Sequence, residues 1–249
     1  TIGKETWPKG GFSEAEGDSA GTEQARDMRK EKEIQKMVGV IDYDAGNVKS
    51  VMKAVEKLGG EAVLTADPAV LDQCSSLILP GVGSFGKAAE NLRKTGLDRY
   101  LLKAAAEGRR LLGICLGMQM LFDRSFEDGE WEGLGLIKGR VVRFGKENDE
   151  DWYERSKIPH MGWNLLIKNR EDSIGAGIGS DDYAYFVHSY YAVPEDWSDV
   201  VYYADYNVKV PGVVRKGSVI GMQFHPEKSS ETGMRLLTNF LKEGEEIAD

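Results

Sequence analysis

The sequence predicts an α/β fold: a mostly parallel central sheet flanked by helices, with an additional antiparallel β portion in the second half. Three observations predict it. From Met37 onward, short apolar runs alternate with helix-compatible stretches, the pattern of strands joined by helical crossovers. A Gly-x-Cys-x-Gly turn, Gly113 to Gly117, carries one of those runs straight into the next amphipathic stretch. Past residue 139 the segments become β-branched and aromatic and are joined by polar turns, as antiparallel strands are.

In chain order, Val38–Asp42 is a short apolar strand, and Asn47–Leu58 is a helix stopped by Gly59-Gly60. Glu61–Thr65 and Ser76–Leu79 are further strands, and Lys87–Glu107 holds one or two helices. Arg110–Ile114 is the strand before Cys115, and Leu116–Phe122 begins the helix after it. Gly139–Phe144, Tyr183–Tyr191, Val200–Tyr206 and Ser218–Phe224 read as antiparallel strands before a closing helix, Glu231–Lys242. The Gly-rich stretch 169–182, poor in bulky apolar residues, reads as a mobile surface connection. Residues 1–36 differ from all of this. Thr1–Gly21 is polar and reads as disordered or as a linker, and Thr22–Lys36 is helix-compatible but too sparsely apolar to anchor a core. The packed domain is therefore expected over 37–249, with Met37 fitting an original start position.

The 249 residues, 41% of them hydrophobic, suffice for one large domain with a full core. A net charge of -9 without a basic stripe excludes a nucleic-acid-binding surface. No apolar run approaches the ~20 residues that span a bilayer, and the polar N-terminus lacks the apolar core of a secretory signal. Two cysteines, Cys74 and Cys115, cannot build a disulfide framework or a cysteine-rich zinc site. No metal and no cofactor are expected, and a reducing cytoplasm suits the thiols.

Cys115 is the candidate nucleophile. Glycines on both sides permit a strained strand-to-helix elbow that presents the thiol at the strand's end. The free N–H groups of the following helix then face whatever the sulfur attacks, and they favour its thiolate. The segment Gln223-Phe-His-Pro-Glu227 supplies its companions. In an extended chain His225 and Glu227 share one face, so the carboxylate can orient the imidazole that takes the thiol proton. Cys, His and Glu together suit acyl transfer. Cys74 reads instead as a small buried hydrophobe, and His160 and His188 as structural histidines. Gly81-Val-Gly-Ser-Phe-Gly-Lys87 mimics a phosphate loop, but Ala88 lacks the hydroxyl that would ligate magnesium. It reads better as a turn at an adjacent strand end that offers a backbone N–H to an oxyanion.

These residues together resemble the class I, triad-type glutamine amidotransferases, whose central sheet is flavodoxin-like. A narrower likeness, to the glutaminase subunits of imidazole glycerol phosphate synthases, rests on six blocks. They are Asp42–Asn47, Pro80–Gly83, Gly113–Gln119, Pro159–Asn164, Phe186–Tyr190 and Gln223–Ser229. The resemblance implies that Cys115 attacks the carboxamide of glutamine, with His225 as base held by Glu227. It places Leu116 and one of Gly81, Val82 and Gly83 at the oxyanion, and Gln119, Ser189 and Tyr190 at the substrate. Ammonia would pass to a (βα)8-barrel cyclase in a heterodimer. That partner would make imidazole glycerol phosphate and release an aminoimidazole carboxamide ribotide in histidine biosynthesis. Asn47, Met161 and Trp163 would face the partner, core packing being the other reading of the last two. Asp44 stands where this family usually has glycine, and aspartate tolerates a positive φ better than most residues. A glutaminase for another acceptor synthase, and a catalytically silent partner subunit, are the competing functions. A chain beginning at Met37 is expected to fold and to keep its activity; loss of either, measured by circular dichroism and glutamate release, would make residues 1–36 part of the working domain.

Overall fold

The computed structural model describes residues 37–145 and 156–243. The polar extension read over 1–36 lies outside them. In the first half, β1 (Met37–Ile41), β2 (Glu61–Thr65), β3 (Ser76–Leu79) and β4 (Arg110–Ile114) alternate with helices. These are α1 (Val48–Lys57), the single turn α2 (Pro68–Leu71), α3 (Phe85–Thr95), α4 (Leu97–Ala106) and the single turn α5 (Leu116–Gln119). Local chemistry sets the boundaries. Ser84 Oγ accepts the Lys87 N–H and caps α3. Gly96, at φ +73°, closes α3 and opens α4, which splits the stretch 87–107 in two.

The second half contains β5 (Phe122–Ser125), β6 (Trp131–Glu132), β7 (Ile137–Arg143), β8 (His160–Leu165), β9 (Ile167–Lys168), β10 (Tyr183–His188) and β11 (Tyr190–Pro194). Then follow β12 (Val200–Asp205), β13 (Lys209–Lys216), β14 (Val219–Met222) and the closing α6 (Ser230–Lys242). The central sheet runs β2-β1-β3-β4-β14-β13-β12-β9. It is parallel from β2 through β14 and antiparallel beyond. Strands β11-β7-β5-β6 form a second sheet, and β10-β8 a two-stranded ribbon.

Alternation along the central strands loads both faces with apolar side chains, as a doubly covered parallel sheet requires. Leu77, Leu79 and Leu111 pack with α3 and α4 on one face. Val38, Val40, Ile78, Leu112 and Ile114 pack with α1 and α6 on the other.

Four details depart from the sequence reading. The helix after Cys115 is one turn long, because Leu121 and Phe122 turn away to bury themselves as β5 begins. Tyr183–Tyr191 is not one strand: it breaks at Ser189, sending β10 to the ribbon and β11 to the second sheet. Ser218–Phe224 yields β14, which is antiparallel to β13 but parallel to β4, and so belongs to the central sheet. Finally, the stretch 169–182 is anchored: Ile174 and Ile178 are buried, and Asp172 accepts from Arg170, Arg215 and the Ile174 N–H.

The elbow at Cys115 depends on close approach. A Cβ on Gly117 would lie 1.9 Å from the Leu79 carbonyl oxygen, and one on Gly113 would lie 2.6 Å from the Gly117 carbonyl oxygen. Backbone on both sides leaves no flexible group to give way. Gly117→Ala is therefore expected to cost about 2–3 kcal/mol, lowering the melting temperature by roughly 5–10 °C in calorimetry. An unchanged melting temperature would contradict this packing.

Candidate active site

Cys115 follows β4 with φ +55° and ψ −111°, a sparsely populated backbone for any residue with a side chain. Its N–H donates to the Met222 carbonyl at 2.8 Å, which pins the elbow to the neighbouring strand β14. The thiol is 8% exposed and opens on a cavity of about 370 Å3, at the small end of ligand pockets. Leu116 is the first residue of α5, so its N–H has no partner within the helix.

The β4–β14 register brings the second half of the chemistry to the same sheet end. His225, three residues past β14, is buried and lines the same cavity as Cys115. Its Nδ1 lies 3.0 Å from Glu227 Oε1, and that carboxylate is itself buried. The same Oε1 accepts the Asn47 side-chain N–H at 3.0 Å, while Oε2 is buried with no protein donor among the described residues. Burial works against a charge on His225, but the hydrogen bonds and charges of Cys115 and Glu227 overcome it and raise its pKa to about 9. The ring thus sits between a sulfur and a carboxylate, and both favour a proton on it. Asn47, expected at the partner face, has its amide on the carboxylate of this triad.

The other expected residues fall around one cavity, with one exception. Val82, Gly83, Leu116, Gln119, Ser189 and Tyr190 line it. Gly81 does not: it is wedged behind, where a Cβ would meet Gly117 N, Tyr43 Oη and Leu116 Cβ within 2.9 Å. Gly83 has φ +103°, a conformation that favours glycine. Gln119 is buried, its side-chain N–H shared between the Tyr190 carbonyl at 2.8 Å and Gln223 Oε1 at 3.1 Å. Met161 and Trp163 lie away from the cavity on the ribbon, 59% and 52% exposed, so they are not core residues of this chain. Asp44 adopts φ +68°, the left-handed conformation anticipated for a glycine substitute. Gly86 has a packing role instead: a Cβ there would lie 2.5 Å from the Trp131 ring.

Four cavity residues escaped the sequence reading: Glu127, Val187, His188 and Lys228. Glu127 accepts the Phe85 N–H at 2.7 Å, yet burial raises its pKa, so it favours a cation beside it. It lies in a polar loop with no periodicity to mark it. Gln223, pointing its amide N–H at Cys115 Sγ from 4.0 Å, was legible: alternation places it on the face of His225.

Because its pKa is raised from 6.5 to about 9, His225 contributes stability that is full below pH 6.5 and lost as pH rises through about 9. Its NMR titration midpoint is expected near 9, falling in Glu227→Gln; a wild-type midpoint near 6.5 would remove the ion pair.

Residues 39–243 match the family described as Glutamine amidotransferase class-I. The imidazole glycerol phosphate synthase subunit HisH of Geobacillus sp. (strain WCH70) is 51% identical over 205 residues, covering 82% of this chain and 95% of that protein. The subunit of the same name from Bacillus subtilis (strain 168) is 48% identical over 206 residues, covering 83% and 96%. Among solved structures, a glutamine amidotransferase aligns with a TM-score of 0.63 at 24% identity, covering 82% of this chain and 97% of its own. PurLQS from Thermotoga maritima aligns with a TM-score of 0.63 at 22% identity, covering 83% and 97%, and shares the fold. With the family match spanning most of its length, the chain belongs to the class-I glutamine amidotransferases.

Proposed function

We propose that this chain is the glutaminase subunit of an imidazole glycerol phosphate synthase, hydrolysing glutamine to glutamate and ammonia for histidine biosynthesis. The observation that carries the chemistry is the buried Cys115–His225–Glu227 array at the floor of a small cavity. The choice of acceptor rests on relatives about half identical over nearly their whole length.

His225 takes the Cys115 thiol proton as the sulfur attacks the carboxamide carbon of glutamine. The carbonyl electrons move onto oxygen, which the Leu116 N–H and an N–H of the 81–83 turn stabilise. His225 gives its proton to the amide nitrogen, the C–N bond breaks and ammonia leaves. Water then attacks the thioester, neutral His225 takes its proton, and collapse expels the sulfur, which recovers that proton from the ring. Glu227 and Asn47 hold the ring through both steps. Glu127 meets the ammonium of the substrate, which supplies a cation for its half-buried carboxylate. Ammonia passes to a barrel-shaped cyclase that makes imidazole glycerol phosphate and releases the carboxamide ribotide. The exposed Met161 and Trp163, with Tyr185 and Val187 opposite them across the ribbon, form the docking face. The glycine-flanked Val82 peptide turns its N–H to the oxyanion when the loaded partner is seated. A cytoplasmic setting keeps the thiol reduced.

Glutamate release is expected to be slow for the chain alone, and raised at least tenfold by a cyclase barrel carrying its ribonucleotide ligand. Cys115→Ala should abolish it, and Trp163→Ala should weaken the complex by about thirtyfold, the loss of a ~2 kcal/mol hot spot. Equal activity with and without the barrel would assign the glutaminase to another acceptor synthase. No activity in either case would leave a silent partner subunit.

A further inference from the structure

Behind the cavity lies a chain of side-chain contacts that the proposed chemistry does not use. His188 Nδ1 is 2.8 Å from the Tyr190 carbonyl, and His188 Nε2 is 3.1 Å from His160 Nδ1. His160 Nε2 in turn lies 2.8 Å from the side-chain oxygen position of Asn164. Both rings are buried, and His160 is sandwiched between the Phe186 and Tyr206 rings, with centroids 4.8 and 3.9 Å away.

Counting protons fixes the direction of this chain. The Tyr190 carbonyl can only accept, so His188 Nδ1 carries a proton. In a neutral ring His188 Nε2 then accepts, and the proton between the rings sits on His160 Nδ1. His160 Nε2 is left as an acceptor, which an amide oxygen cannot satisfy. Either the pair holds a third proton, or the Asn164 amide is turned by half a rotation so that its NH2 group donates. Burial lowers the pKa of both rings, and that of His188 to about 3, which argues against the third proton.

We propose that His160 and His188 are neutral positioning residues in a one-way hydrogen-bond relay from the Asn164 amide on the ribbon to the Tyr190 carbonyl in the glutamine pocket. The proposal deepens the functional reading above and rests on the ribbon being the docking face. Two further contacts give the relay its reach. At the pocket end, the Tyr190 carbonyl also accepts from Gln119, which contacts Gln223 beside Cys115. At the other end, turning the amide sets the Asn164 oxygen against the Asp205 carbonyl, 3.3 Å from the position of the amide nitrogen, at an exposed edge. Two acceptors face each other there, so a donor from outside favours the turned amide. Asn164 shares β8 with Met161 and Trp163 but lies on the opposite face, so a partner seated on the ribbon reaches the relay through one strand.

Nitrogen-15 NMR of the histidine rings in the full chain at neutral pH tests the direction. Both His160 and His188 are expected to be neutral, with the proton on Nδ1; a proton on Nε2 of either ring, or an imidazolium, would overturn the relay. Asn164→Asp tests its effect, because a carboxylate only accepts and forces a proton onto His160 Nε2. This isosteric variant is expected to raise the KM for glutamine five- to tenfold, while kcat and the rate of Cys115 alkylation change far less. Glutamate release with the loaded barrel gives KM and kcat, and a thermal melt checks folding. An unchanged KM, or an equal fall in kcat and alkylation, would overturn the positioning role. If the wild-type chain releases no glutamate at all, the functional reading fails, while the ring tautomers still decide the relay.

Discussion

The parallel pairing of β14 with β4 is the constraint from which the site follows. In that register Met222 lies beside Ile114, so the chain leaving each strand emerges at one end of the sheet. The Cys115 N–H closes on the Met222 carbonyl. Cys115 and His225 are 110 positions apart in sequence, yet both are held by one edge-to-edge ladder. The ladder is rigid because large buried side chains cover both of its faces. Rigidity matters here: on the proposed chemistry a proton moves between a sulfur and an imidazole over a distance that a small displacement would open.

Around that ladder the backbone is unusually close-packed. Cys115 occupies a strained conformation that its neighbours over-determine, with Gly113 against Gly117 and Gly117 against Leu79. Gly81 fits against the same helical turn, bringing the strand end that carries Val82 and Gly83 alongside the thiol. The glycines are therefore part of the site, because each lets a backbone sit where a side chain would hold it off. The His-Glu pair is supported differently, by a buried carboxylate shared between a ring and the Asn47 amide. One half of the site is defined by steric exclusion and the other by polar satisfaction.

Much of this was legible in the sequence, and the reasons are local. Gly113 to Gly117 and Gln223 to Glu227 each encode their geometry within five residues, through glycine spacing or two-residue alternation. The parallel half of the sheet was legible because its strands are short apolar runs between helices. What was not legible depends on distant partners. The strand β8 reads as a polar and aromatic segment, and only pairing with β10 makes it a strand. Glu127 and His188 join the cavity through a loop and the two-stranded ribbon, whose register no local pattern specifies. The one-turn length of α5 was hidden for the same reason: Phe122 extends toward a sheet built by residues further along the chain.

The charge arrangement at Cys115 also bears on how the product leaves. Glutamine and glutamate share one amino-acid end, so on the proposed reading recognition there, at Glu127, cannot separate substrate from product. They differ at the other end, where the carboxamide is neutral and the product carries a carboxylate. On the proposed reading, that carboxylate lies beside Cys115 at the bottom of a narrow, half-apolar cavity, which penalises a charge. The His225 ring nearby is already held by Glu227. A site shaped for a neutral carboxamide would thus hold the product of its own turnover less well than the substrate.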